Sequence, residues 1–513
     1  MTRTFVLGLD GASWRLVEPW IEAGDLPNLS QLRNEGTWAT SRSCLPPVTF
    51  PNWKCYSAGK NPGKFGVYWF ERIDLERGRI DVMNGQNFKT AELWDYLNDA
   101  GYSAGVVNMP TMYPPRELDG IVVAGGPDAV SGEYRSIDSG YASPSSFVER
   151  LETEYDYQVH PEPLLSSNEE RGEEVDAILE LLDKRLQVAY DLYVEDELDF
   201  VHVTLFYLNV LHHFFWDEEP TKRAWKLVDE WVGELSELEG TNLVLMSDHG
   251  SAATTTEFYI NEWLAENGYQ RRTRSAEYYF RKIGLTRENA LRLAKRAGLV
   301  NFLANTVPES VQELVPQSAG AKRERKLEQV VLSETRAVAS AQGPVYLNPD
   351  FDADEVSERL IEDLREVSDE NGDPIFTDVY RGDEVYDGPY VGDGPEVVVD
   401  QRPGIHVNDG MGRGVVQTKP DRWAAENTRD GIFVASGPDF EARGEIDPIS
   451  ITDIAPTVLT AYGLDVPTDM DGSIIPSLAD GPTGSRDPIR IDTANGSASD
   501  DVADRLKQLG YME

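Results

Sequence analysis

The chain has 513 residues, and its 90 acidic against 47 basic side chains give a formal net charge of −43. With 40% hydrophobic residues it can bury a large core, which excludes a disordered polypeptide. The acid is spread along the whole length, which excludes the basic patches that a nucleic-acid partner requires.

Such a surface suits multimolar salt, where the Debye length falls to about 3 Å and self-repulsion is screened. It predicts a halophilic, haloarchaeal-like protein. Two cysteines, Cys44 and Cys55, are too few for a disulfide framework. No stretch approaches the roughly 18 apolar residues of a membrane span. The expectation is a cytoplasmic protein with no membrane segment.

In chain order, TFVLGLD at 4–10 predicts a buried parallel strand that ends in Asp10. A helical pattern follows, and LPNLSQLRNEG predicts a short helix that stops at its glycine. PPVTFPNW at 46–53 poses two alternatives. Thr49 either caps a helix, or is a nucleophile held where helix N–H groups and the dipole favour negative charge.

TAELWDYLNDAGYSAGVVNMP reads as helix, glycine stop and strand, and DGIVVAGG as a further strand. Residues 172–195 carry an amphipathic helix pattern, and LDFVHVTLF a strand. TNLVLMSDHG predicts a strand that ends in Asp248 and His249. The alternation gives an α/β fold with a mostly parallel central sheet flanked by helices.

Residues 255–345 break the rhythm, with Arg, Glu, Ala and Leu at helical spacing. They predict an inserted helical cap. The α/β pattern resumes at GPVYLNPD, PEVVVDQ and GIFVASGP. SITDIAPTVLTAYGLDVP predicts a helix with Ser450 or Thr452 as N-cap. The expected organisation is a core of 1–254 and 346–480, an insertion at 255–345, and a tail at 481–513 with a short helix near 500–509.

Asp10, Asp248 and His249 each follow a strand, and open α/β sheets bind ligands at the carboxyl ends of strands. Two carboxylates and an imidazole suit a divalent cation such as Zn²⁺ or Mn²⁺. A cation there would lower the pKa of the Thr49 hydroxyl and polarise a phosphoryl group. The plainer alternative is that Asp10 caps a helix and Asp-His-Gly is a turn.

LGLDGA, PPVTFPNW with GKNPGKFGVY, SDHG at 247–250, and DGIFVASGP with DIAPTVLTAYGLDVPTDMDG follow one another along the chain. Together they resemble the type I phosphodiesterase/nucleotide pyrophosphatase family of the alkaline phosphatase superfamily. The resemblance implies an alkaline phosphatase-like fold, a two-metal site and a covalent phospho-threonine. It places Asp10, Thr49, Asp248 and His249 around the first ion.

The family's second ligand set falls on Asn209 and His213 in NVLHH and on Asn427 in ENTRDG. Two asparagines stand where the resemblance expects Asp and His. Amide carbonyls ligate hard cations but bring no charge to offset a dication. Phe65 stands where the family usually has His.

His212 lies about 100° round the helix from His213 and cannot replace it. Asp217, one turn further on, and His406, in GIHVNDGMGRG, are candidate replacements, and His406 and Asn52 are candidate pocket residues. His160 and His202 read as structural or surface residues. CLPPV begins like the sulfatase Cys-x-Pro-x-Arg motif, but Val48 stands in place of Arg. Cys44 then reads as a small buried apolar residue.

The expected function is metal-dependent hydrolysis of a phosphodiester or nucleotide pyrophosphate through Thr49, on a small phosphorylated substrate. The alternative is a degenerate member that binds a phosphorylated ligand with little or no turnover.

Overall fold

Every residue from Thr4 to Gly8 in the first strand, β1 (Arg3–Gly8), is buried. A strand apolar on both faces needs a layer packed on each side. The protein is described by a computed structural model covering residues 3–126, 137, 140–161, 172–273, 323–410, 414–418, 423–475, 478–479 and 484–491.

The central sheet holds β1, β2 (Thr37–Arg42), β3 (Ala104–Val107), β4 (Gly120–Val123), β5 (Ala142–Ser143), β6 (Phe200–Thr204), β7 (Thr241–Met246) and β8 (Asp430–Ser436). Their order across the sheet is β2-β8-β7-β1-β6-β3-β4-β5, with Gly444–Glu445 and Ile449–Ser450 beside β2. The run from β7 to β4 is parallel. The sheet is mixed overall, because β8 is antiparallel to both neighbours and β5 is antiparallel to β4.

The helix Gly172–Val194, with Ile178, Leu182 and Leu186 buried, packs on β6 and β3. The helices Thr49–Ala58, Leu93–Asp99 and Ile454–Ala461 pack on one another. Ser450 closes a capping box with Asp453 just before the last of these. Among the described residues, no helix is long and apolar enough to cross a membrane.

A second sheet is antiparallel, in the order Ala337–Ala339, Pro344–Leu347, Val397–Gln401, Phe376–Arg381. It shares a separate core, including Phe258, Leu264, Val345, Leu360 and Val399, with the segment after β7. The expected boundary at 345/346 therefore falls inside a strand. Described parts of 255–345 include the strand Thr256–Tyr259 and the helices Ile260–Glu266 and Arg323–Glu328. The spacing that predicts helix lies mostly in 274–322, outside the described residues, as does the helix expected near 500–509. Cys55 is buried, but Cys44 is only half-buried, so its reading as a buried residue is corrected.

Register sets the position of the site. Gly8 pairs with Thr204 of β6 on one side and Met246 of β7 on the other. Asp10 and Asp248 each stand two residues beyond the same rung. The helix Phe206–Phe215 begins almost directly after β6.

Two glycines permit the close approach. A Cβ on Gly8 would come within 2.7 Å of the Trp53 ring. Gly11 has φ +67°, and a Cβ there would collide with Asn209 Oδ1. Gly8→Ala should destabilise the fold by about 1–3 kcal/mol, the ordinary cost of overpacking. Denaturant unfolding checks this, and an unchanged midpoint would mean that Trp53 gives way freely.

Candidate active site

Thr49 is the first residue of its helix. Val48 occupies the N-cap position and no side chain caps the helix. The capping alternative for Thr49 therefore fails. Its Oγ1 donates to Asp10 Oδ1 at 3.4 Å and lies 3.2 Å from His249 Nε2. The loop that presents Thr49 is tied by Asn52, whose Nδ2 donates to the carbonyls of Pro46 and Val48, both at 2.9 Å.

Asp10, Asp248 and His249 are fully buried and offer one ligand atom each, all within 4.8 Å of one another. Among the described residues they form the one such cluster of His, Cys, Asp and Glu. Trp53 Nε1–H holds Asp10 Oδ2 at 3.0 Å, and Gly11 N–H holds Asp248 Oδ1 at 3.1 Å. His249 Nδ1 donates to the Gly250 carbonyl at 2.9 Å, which leaves the lone pair on Nε2. That nitrogen lies 3.2 Å from Asp248 Oδ2 and 3.8 Å from Asp10 Oδ1. Asp248 Oδ2 is buried with no hydrogen-bond donor of its own.

Three acceptors thus converge, and only a proton or a cation between them relieves the repulsion. The donor set of carboxylates and imidazole fits a divalent metal, so the cluster is a candidate metal-binding group. Its electrostatics agree. Burial pushes the Asp10 carboxyl well above the usual carboxylate range, and the charge of Asp248 adds to this. Burial lifts Asp248 to about 8 against the opposing Gly11 N–H bond. Burial also pushes the His249 imidazole down.

The second set is different in kind. Asn209 Nδ2 donates to Asn427 Oδ1 at 3.4 Å. Ser251 Oγ donates to the Gly11 carbonyl at 2.6 Å and sits 3.4 Å from Asn209 Oδ1. Asn427 Nδ2 is buried without a hydrogen-bond partner, a cost of about 1–3 kcal/mol in the absence of a ligand. His213 Nδ1 donates to the Ala425 carbonyl at 2.8 Å, and its ring stacks on Trp423 at 4.2 Å. Burial pushes that imidazole down to about 4. All three side chains are neutral, and the two amides are bonded to each other. A second dication does not fit this set.

Sequence reasoning missed Glu426, a fully buried carboxylate next to Asn427. It is already engaged, by His406 Nδ1, by Gln342 Nε2 and by Asn427 N–H. Its charge acts on the neighbouring His213 and His249 imidazoles. His406, half-buried, is thus bonded to Glu426 near the second set. Asp217 is exposed, because the helix stops at Trp216 with φ +42°, which corrects its candidacy as a ligand.

His212 accepts from Trp225 Nε1 at 3.0 Å. His202 bonds Thr204 Oγ1 at 2.8 Å and His160 bonds the Tyr207 hydroxyl at 2.8 Å, and both imidazoles are buried. Phe65 is a core residue packed on Phe88 at 5.5 Å. Trp53 and Gly11 lie within the quoted motifs, but their roles depend on tertiary contact.

These shifts set a pH dependence. The unfolded chain releases carboxyl protons near about 3.9, whereas metal-free folded Asp248 keeps its proton up to about 8. Between those values the folded state binds more protons, so the cluster's contribution to stability falls as pH rises. A cation that binds the ionised cluster reverses the loss. Mn²⁺ or Zn²⁺ added to chelator-treated protein should raise Tm more at pH 8 than at pH 5, and Asp248→Asn should remove most of the rise. An equal rise in the variant would place the metal elsewhere.

Residues 4–423 match the family described as type I phosphodiesterase / nucleotide pyrophosphatase. No curated protein matches the chain. Among solved structures, phosphonoacetate hydrolase from Sinorhizobium meliloti, in complex with phosphonoformate, is 15% identical with a TM-score of 0.57, over 90% of this chain and 95% of that one. Murine ectonucleotide pyrophosphatase/phosphodiesterase 5, an inactive threonine-to-alanine variant in complex with AMP, is 12% identical with a TM-score of 0.53, over 92% and 98%. The alkaline phosphatase PafA is 13% identical with a TM-score of 0.56, over 93% and 98%. These likenesses show an alkaline phosphatase-like fold. With a match that runs through most of its length, the chain belongs to the type I phosphodiesterase/nucleotide pyrophosphatase family.

Proposed function

We propose that the protein is a metal-dependent hydrolase of phosphodiesters or nucleotide pyrophosphates with Thr49 as nucleophile. The observation that carries this reading is the Thr49 hydroxyl, within 3.4 Å of Asp10 and 3.2 Å of His249 in the buried acid–imidazole cluster. Family membership supports phosphoester hydrolysis as the class of reaction. The mouse relative supports a threonine nucleophile, since its threonine-to-alanine variant is described as inactive and holds AMP.

Asp10, Asp248, His249 and Thr49 would hold the cation, which would supply Lewis-acid polarisation of the phosphoryl oxygen and a more acidic hydroxyl. Thr49 Oγ1 attacks phosphorus in line. The Oγ1–P bond forms while the bond from phosphorus to the leaving oxygen breaks. The hydroxyl proton leaves Oγ1 as the bond forms and ends on the departing oxygen. Trp53 Nε1–H fixes Asp10 Oδ2 and keeps Asp10 in place. The start of the Thr49 helix favours the negative charge carried by the phosphoryl group. Water then attacks phosphorus, the Thr49–phosphorus bond breaks, and one proton of that water passes to Oγ1 and restores the hydroxyl.

Charge supports a diester over a monoester. Two carboxylates and one dication sum to zero, and Asn209 and Asn427 add nothing. A singly charged phosphodiester then enters a buried site more cheaply than a doubly charged monoester. The acidic surface supports a working environment of multimolar salt.

The test is hydrolysis of bis(p-nitrophenyl) phosphate in multimolar KCl with Mn²⁺ or Zn²⁺. Thr49→Ala should lower kcat by at least about a thousandfold, as loss of a nucleophile does elsewhere, with the fold intact by circular dichroism. Folded, metal-loaded wild type without hydrolysis would leave the ligand-binding, non-turnover member as the surviving reading.

A further inference from the structure

We infer that this chain holds one cation rather than two, and that the Asn427 amide donates hydrogen bonds to the bound phosphoryl group where the second cation is missing. The inference rests on the metal reading of Asp10, Asp248 and His249 and goes beyond it.

A cation there would need charged ligands, and beside the neutral His213 ring, whose Nε2 keeps its lone pair, the position offers only two amides bonded to each other. Asn427 Oδ1 is spent on Asn209 Nδ2 at 3.4 Å. What Asn427 has left is its own Nδ2, buried and without a partner. Phosphoryl oxygens are acceptors only, so an unspent amide donor complements them.

The amide is also pre-positioned. Asn427 N–H donates to Glu426 Oε1 at 2.7 Å, and its carbonyl accepts from Gln401 Nε2 at 3.0 Å. Its strand, Ala425–Thr428, pairs with Gly250–Ala253 so that Asn427 faces Ser251, two residues after His249. Ser251 Oγ donates to the Gly11 carbonyl, and Gly11 N–H holds Asp248. The amide pair therefore belongs to the same hydrogen-bonded frame as the metal ligands. The nearest carboxylate, Glu426, is engaged with His406 and Gln342. A donor fixed on both sides of its own backbone needs no reorganisation when a phosphoryl group arrives.

The experiment uses the full chain in multimolar KCl, loaded with excess Mn²⁺, desalted and counted for metal by mass spectrometry. Orthophosphate binding to the loaded protein is measured by calorimetry in parallel. One ion per chain is expected. Asn427→Ala and the uncharged, similarly sized Asn427→Leu should both keep that single ion. Both should weaken orthophosphate by about ten- to a hundredfold, the range for a hydrogen bond to a charged group.

The double variant Asn209→Asp/Asn427→His should raise the count to two. Two ions on wild type would overturn the inference, as would orthophosphate affinity unchanged in both Asn427 variants. A double variant that folds and still binds one ion would show that the amides are not what excludes the second. A count of zero would remove the metal reading itself and the inference with it. Neither readout requires turnover, so an inactive enzyme would leave this test standing.

Discussion

Two carboxylates that end neighbouring parallel strands repel each other, and the surrounding structure is arranged to keep them together. The pairing of Gly8 with Met246 carries Asp10 and Asp248 out of the sheet side by side. Trp53 can reach Asp10 because Gly8 has no side chain beneath the indole. Gly11 can turn its N–H to Asp248 because it adopts a positive φ. Thr49 arrives on a helix whose first turn is tied by Asn52. Each of these devices serves to hold like charges at a distance at which water alone would not keep them.

Against that cluster, the neighbouring set is built from the opposite material. Where a second pair of anions would multiply the repulsion, the protein places two amides that satisfy one another in part. Its buried acid there, Glu426, is bonded by His406 and by Gln342. The whole chain carries a formal net charge of −43, and among the described residues Asp10 and Asp248 with His249 form the one cluster of buried acids and imidazole able to hold a metal ion. An acid-rich surface is screened by salt, whereas a buried charge is screened far less. The interior and the exterior are under different rules, and the two asparagines obey the interior one.

The strand ends and the Asp-His pair were legible because apolar runs closed by acidic residues have few other readings. The sheet order was not legible, since nothing in GIFVASGP announces that it inserts between β2 and β7. Glu426 in ENTRDG has no sequence signal for burial, because its partners His406 and Gln342 come from distant segments. Asp217 looked like a further helical position, and the positive φ at Trp216 that ends the helix has no sequence signal. Phe65 was read as a missing histidine, and its place in the core against Phe88 accounts for an apolar ring there. The helical spacing after residue 255 obscured a small antiparallel sheet, whose strands of three to six residues carry a weak pattern singly.

The insertion of β8 between β2 and β7 has a consequence for how the chain is made. Ser43 and Arg429 meet across a sequence separation of 386 residues. Until the ribosome has released the segment that becomes β8, β2 has no partner on its inner edge and β7 has one open edge. Unpaired edges of apolar strands recruit other chains. The nascent protein must therefore wait through most of its synthesis with its future centre open, and a highly charged chain whose copies repel one another is better suited to that wait than a neutral one.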